Sequence, residues 1–166
     1  MRTLIVWLLG FLIASVAAAA QTARFRVDGV TSTPSTVVAT MEPRPGAPGY
    51  RWLRVYFYSS LTASERAQVE RGEAEGRRIH WAAVLQFSLD KQSTMWQVDL
   101  ALPGYTCTIA ESDVDAKKAV QTLQLKNGRL TLTAKGVHVC DMKSLGMPNQ
   151  TFEWDVNVAT RVIERG

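Results

Sequence analysis

Apolar and polar residues alternate with a period of two along most of this chain, the pattern of strands with one buried face. The clearest stretch is 151–160. Phe152, Trp154, Val156 and Val158 fall on one side, and Thr151, Glu153, Asp155 and Asn157 fall on the other. Trp81, Ala83, Leu85, Phe87 and Leu89 make a second stripe, and Trp96, Val98, Leu100 and Leu102 a third. The polar run Asp90-Lys91-Gln92-Ser93 between them predicts a β-hairpin. Asn127-Gly128 predicts another, because both residues tolerate the positive φ of a type I′ turn and sit between Leu123/Leu125 and Leu130/Leu132/Ala134. Its second strand is expected to continue through Gly136, read as a bulge, to Val137 and Val139. Weaker strand patterns cover 23–28, 35–41 and 51–59. Pro43, Pro45, Gly46, Pro48 and Gly49 make 42–50 an ordered turn or exposed loop.

One segment breaks the alternation. Thr62-Ala63-Ser64-Glu65 is a capping box: the Thr62 side chain can take up a free backbone N–H while Glu65 reaches back to the cap. Helix formers follow as far as Gly72, then a charged connector over 73–78. The apolar face of this short helix is thin (Leu61, Ala67, Val69), which places it on the surface. A further helical turn is expected over 113–120. About seven to nine strands with little helix predict an all-β fold. The preferred form is an antiparallel β-sandwich of the immunoglobulin-like kind, with a closed barrel as the alternative and one short surface helix.

The N-terminus says where the protein works. Met1-Arg2-Thr3 is a short positive start, Leu4 to Val16 is apolar apart from Gly10 and Ser15, and four alanines precede polar Gln21. This is the pattern of a secretory signal peptide over 1–20, leaving 21–166 as a single domain. The apolar run is at the lower limit for a spanning helix, and a stop-transfer anchor would usually carry more basic residues after it, so cleavage is favoured over anchoring. The predicted localisation is therefore secreted or periplasmic, with no membrane span after cleavage.

Charge and cysteine usage refine this picture. Without Arg2, 18 basic side chains against 15 acidic ones leave +3, and the basic residues are scattered, so nucleic acid is not an expected partner. Cys107 and Cys140 both fall in the mature part, beyond a membrane where thiols oxidise. They predict a Cys107–Cys140 disulfide that staples the fold, with a chain-entropy effect of roughly 3–4 kcal/mol. No Cys-x-x-Cys pair supports a redox role.

The search for chemistry yields one candidate site. The strand at 51–59 is apolar on both faces: Leu53, Val55 and Phe57 on one, Trp52, Arg54, Tyr56 and Tyr58 on the other. The second set reads as an aromatic platform with one cation, suited to stacking on sugar rings or to docking a protein. The competing reading, a central strand buried on both sides, is the commoner arrangement for aromatics. Glu111, Asp113 and Asp115 cluster but lack the glycine turn and ligand spacing of a calcium loop. His80 and His138 are too far apart in sequence to suggest a zinc set, so no metal and no cofactor is predicted. Ser88-Leu89-Asp90-Lys91 matches Ser-x-x-Lys but falls where a strand meets a turn rather than at a helix start, and is read as chance. Asn149-Gln150-Thr151 is a glycosylation sequon, relevant only in a eukaryotic host.

The expectation is thus an exported, non-enzymatic protein that binds a ligand or another protein through Trp52, Arg54, Tyr56 and Tyr58. Two alternatives come from other classes. One is a small secreted hydrolase drawing on Glu111, Asp113, Asp115 or Asp141 with His138 as base. The other is a structural subunit of an envelope assembly that joins through an edge strand such as 23–28 or the C-terminal one.

Overall fold

The computed structural model of the protein describes residues 21–71, 83–90, 95–102, 105–110, 120–141, 143, 146 and 148–165, with backbone alone over 95–110. The expected signal peptide, His80, the carboxylates at 111–115 and all but the last residue of the helical turn expected over 113–120 lie outside the described residues; Val120 is described and is in a strand.

Among the described residues the chain forms ten strands and one helix. In order these are β1 (Thr22–Val27), β2 (Val30–Ser32), β3 (Thr36–Pro43), β4 (Arg51–Tyr58), α1 (Ala63–Glu70), β5 (Ala83–Leu89), β6 (Met95–Leu102), β7 (Tyr105–Ala110), β8 (Val120–Lys126), β9 (Arg129–Cys140) and β10 (Gln150–Glu164). The mostly-β class read from alternation is what forms. β5 pairs antiparallel with β6, and β8 with β9, as the two expected hairpins require. At the tip of the second, Asn127 and Gly128 have φ of 52° and 69°, the left-handed pair a type I′ turn needs.

Strand β10 organises the sheet. Along 150–161 it pairs antiparallel with β9, and along 152–157 with β1. Its last turn of sheet, Val162 to Glu164, pairs instead with Ala39 to Met41 of β3, and this contact is parallel. The Val162 N–H bonds Gly128 O on the hairpin side, while the Arg165 N–H bonds Met41 O. Successive strand residues aim their N–H groups at opposite edges, so β1 and β3 occupy the same edge of β10, one beyond the other. From β3 the sheet continues through β4, β5 and β6 to β7.

The result is an open, mixed sheet, which corrects two expectations. The pairing is not purely antiparallel, because β10 outruns β9 and its end lies beside β3 running in the same direction. Alternation reports which face a residue occupies but carries no information on a neighbour's direction. Nor is the sheet a closed barrel: the strand order runs from β2 to β7 without joining its ends.

The core lies between the part of the sheet around β1, β9 and β10 and the part around β3, β4 and β5. Phe25 of β1 meets Phe57 of β4 edge-on at 4.9 Å between ring centroids. Phe87, Phe152, Leu53, Leu85, Leu130 and Leu132 are buried in the same cluster. Each comes from the apolar side of an alternating strand, so burial of one face drives the assembly.

Gly136 is not a bulge. The β9–β10 register runs unbroken through the Gly136–Trp154 pair. A Cβ there would lie 2.5 Å from Cζ2 of Trp154, so the glycine lets the indole lie against the β9 backbone. The irregularity in this hairpin falls instead between Val120 and Thr122 of β8. Of the two strands named as assembly edges, β10 is interior, and β1 is flanked by β10 and, over Phe25–Val27, by β2. Among the described residues no helix is long and apolar enough to cross a membrane.

Candidate functional site

Strand β4 crosses the sheet between β3 and β5, with its inner face (Leu53, Val55, Phe57) in the core. Its outer face carries Trp52, Arg54, Tyr56 and Tyr58, and the structure divides that row in two. Tyr56 and Tyr58 are 9 % and 4 % exposed, packed with Val38, Val84 and Val69 of α1, with Leu61 and Ile163 beside them. Their rings stack at 6.3 Å between centroids. The helix covers them because its capping box forms: the Thr62 N–H and hydroxyl donate to Glu65 at 2.8 and 2.7 Å, and the Glu65 N–H returns a bond to the Thr62 hydroxyl. Val69 is the residue α1 buries, so this surface helix is also a lid on two tyrosines.

Trp52 and Arg54, beyond the helix, remain partly exposed. The Arg54 guanidinium carbon lies 4.6 Å from the centre of the Trp52 ring. Its Nε donates to Gln86 Oε1 at 2.7 Å, and Nη1 pairs with the Glu42 carboxylate. The strand register explains the set. Thr40, Arg54 and Gln86 are cross-strand partners on one rung, as are Glu42, Trp52 and Ser88 on the next. Cross-strand neighbours point to the same face, so residues far apart in sequence converge. A guanidinium held by a carboxylate, an amide and an aromatic face loses little further freedom when a ligand binds.

The rung below is finished by the 43–50 loop. The Arg44 N–H bonds Tyr50 O, the Ala47 N–H bonds Arg44 O and the Tyr50 N–H bonds Ala47 O, with Gly46 and Gly49 at φ of 70° and 91°. This ordered turn sends Arg44 Nη1 to the buried Ser88 hydroxyl at 2.8 Å. Thr40, 1 % exposed, buries a hydroxyl without a hydrogen-bond partner in the Arg54 rung.

The sequence reading named Trp52 and Arg54 but missed Glu42, Arg44, Gln86, Ser88 and Thr40. A signal for two of them was present. Gln86 and Ser88 are polar at alternate positions of an otherwise apolar strand, opposite the Leu85/Phe87 stripe. The β1–β2 turn was missed too, although Asp28-Gly29 is a dipeptide of the type I′ kind, with φ of 45° and 90°. Asp28 Oδ1 accepts the Thr151 N–H at 3.0 Å and ties that turn to β10.

The other named residues lie elsewhere. Cys140, at the end of β9, is buried, and no free cysteine occurs among the described residues. Cys107 is on β7, with its side chain outside the described residues. His138 is half-buried on β9, and exposed Asp141 accepts the Lys143 N–H at 3.0 Å. Among the described residues no group of three His, Cys, Asp or Glu side chains could hold a metal ion.

A second polar face lies outside β1, β10 and β9. Arg26 pairs with Glu153 at 3.3 Å and Lys135 with Asp155 at 2.8 Å, and Arg24 and Val137 complete a crevice of about 240 Å³. The pairs are well exposed, so they order the surface more than they stabilise it.

Comparison of the chain with protein-family models, with curated proteins and with solved structures finds no match.

Proposed function

We propose that the protein is an exported, non-enzymatic β-sandwich of the immunoglobulin-like kind. On this reading it binds a sugar-like ring or a segment of another protein on the uncovered half of the β4 face. The observation that carries it is the Trp52–Arg54 stack, held by Glu42 and Gln86 and left partly exposed. Aromatic and guanidinium planes supply contact area at low entropic cost, and the flanking amide and hydroxyls can bond hydroxyl or amide groups of a ligand. Tyr56 and Tyr58 belong to the support beneath α1 rather than to the contact surface. Export rests on the N-terminal pattern, and the sandwich on the Phe25–Phe57 contact between strands that are not neighbours.

The test uses native mass spectrometry of the exported protein, followed by titration with a panel of soluble oligosaccharides. Bound mass present in the wild type and absent from both Trp52→Ala and Arg54→Ala, at nearly unchanged melting temperature, is the expected result. Equal occupancy in the variants would remove this face from consideration.

A further inference from the structure

Basic residues are scattered along the chain, but the sheet gathers six of them on one face. On the outward side of β8, β9 and β10, Lys126, Arg129 and Arg161 are cross-strand partners on a single rung beside the Asn127-Gly128 turn. All three are exposed. About 20 Å along β10, at roughly 3.4 Å per residue, the same face carries Arg24, Asp155 and Lys135 on one rung. Arg26 and Glu153 follow on the next outward rung. Six cations against two carboxylates leave this face at +4, equal to the net charge of the whole chain. Arg26 already pairs with Glu153, and Lys135 with Asp155. The excess therefore lies with Arg24 at one end and the three-cation rung at the other. Like charges directly opposite one another destabilise a sheet, so that rung works against the fold, and an anion laid across it removes the conflict.

We propose that this face binds an acidic polysaccharide, carboxylated or sulfated, laid along the strands from Arg24 to the Lys126–Arg129–Arg161 rung. The crevice of about 240 Å³ between Arg24, Arg26 and Lys135 receives one acidic group of the polymer, and the rung receives another. Between the two ends the outward residues are Gln124, Thr131, Thr122, Thr133, Asn157 and Thr22. Their hydroxyls and amides donate and accept hydrogen bonds, as sugar hydroxyls require. This strip also separates a polysaccharide from other polyanions. Single-stranded nucleic acid is held by stacking on aromatic side chains, and none of these residues is aromatic. An anionic membrane surface is held by an apolar face sunk among the headgroups, and this strip is hydroxyl and amide. The surface is distinct from the Trp52–Arg54 stack on β4.

Isothermal titration of the exported protein with heparin and with polygalacturonate, against neutral dextran, tests this. The wild type is expected to bind at least one of the acidic polymers and not dextran. Arg129→Gln with Arg161→Gln should weaken that binding on the order of tenfold, since each cation near a polyanion contributes severalfold. The same double variant should melt at or above the wild-type temperature, because it relieves repulsion across the rung. Arg66→Gln with Lys143→Gln removes equal charge from outside these strands and should change binding less than about twofold. Equal losses in the two double variants would assign the binding to net charge and overturn the site. A fall in melting temperature on neutralising the rung would give it a role in the fold and overturn the argument from repulsion. Binding to neither acidic polymer, or to phosphatidylglycerol vesicles alone, overturns the proposal.

Discussion

At the scale of single residues, the fold turns on a few close approaches. Gly136 is the sharpest, because the Trp154 ring fills the space a side chain would need. Gly136→Ala forces ring or backbone to shift, and we expect a loss of about 1–3 kcal/mol by chemical denaturation. Thr40 is the opposite case, a buried hydroxyl without a partner. Thr40→Val should leave stability unchanged or raise it by about 1 kcal/mol, since it removes a desolvated polar group at nearly constant volume. On β4, Tyr58→Ala should cost about 2–4 kcal/mol, while Trp52→Ala, beyond the helix, costs under about 1 kcal/mol. Thermal melts of the pair separate support from surface.

At the scale of elements, α1 depends on its cap. Thr62→Ala removes the two bonds of the Thr62 hydroxyl, leaves the backbone N–H bond to Glu65, and should cost about 1 kcal/mol, loosening the cover over Tyr56 and Tyr58. The cap also carries a pH dependence. The Thr62 hydroxyl, and after it the Thr62 backbone N–H, hold the Glu65 carboxyl below its usual value, with burial opposing slightly. A carboxyl depressed in the folded state stays ionised there while its unfolded counterpart takes up a proton. Its contribution is full above the unfolded value and lost as pH falls through the folded one. Melting temperatures followed into acid should therefore converge for wild type and Glu65→Gln, whose neutral side chain lacks this titration. A gap that widens in acid would contradict the cap's role.

At the scale of the whole molecule, β10 joins the parts of the sheet, and the two cysteines sit on strands well separated in the strand order. Cys107 lies on β7, the last strand in the order, and Cys140 ends β9 beside Gln150 of β10. A Cys107–Cys140 disulfide would tie the last strand back to the centre. The exported protein is expected to have the mass of residues 21–166 less two hydrogens, and reduction should cost roughly 3–4 kcal/mol of stability. A mass that includes 1–20, or two reactive thiols, would refute the processing and the staple respectively.

How much was legible follows from what each signal measures. Alternation reports burial of one face, so the sequence by itself determined most of the strands, inward residues such as Leu85, Phe87, Phe152, Trp154, Val156 and Val158, and the hairpin at Asn127-Gly128, but not β2 or β7. The Thr62–Glu65 cap was equally local. What lay beyond it were properties set by neighbours in space. The parallel β10–β3 contact and the reason for Gly136 depend on which strands lie side by side. So does the division of the β4 face into a covered tyrosine pair and an open Trp52–Arg54 stack, because that depends on where α1 lands. One row of four residues looked uniform in the chain; packing made half of it core and left half at the surface.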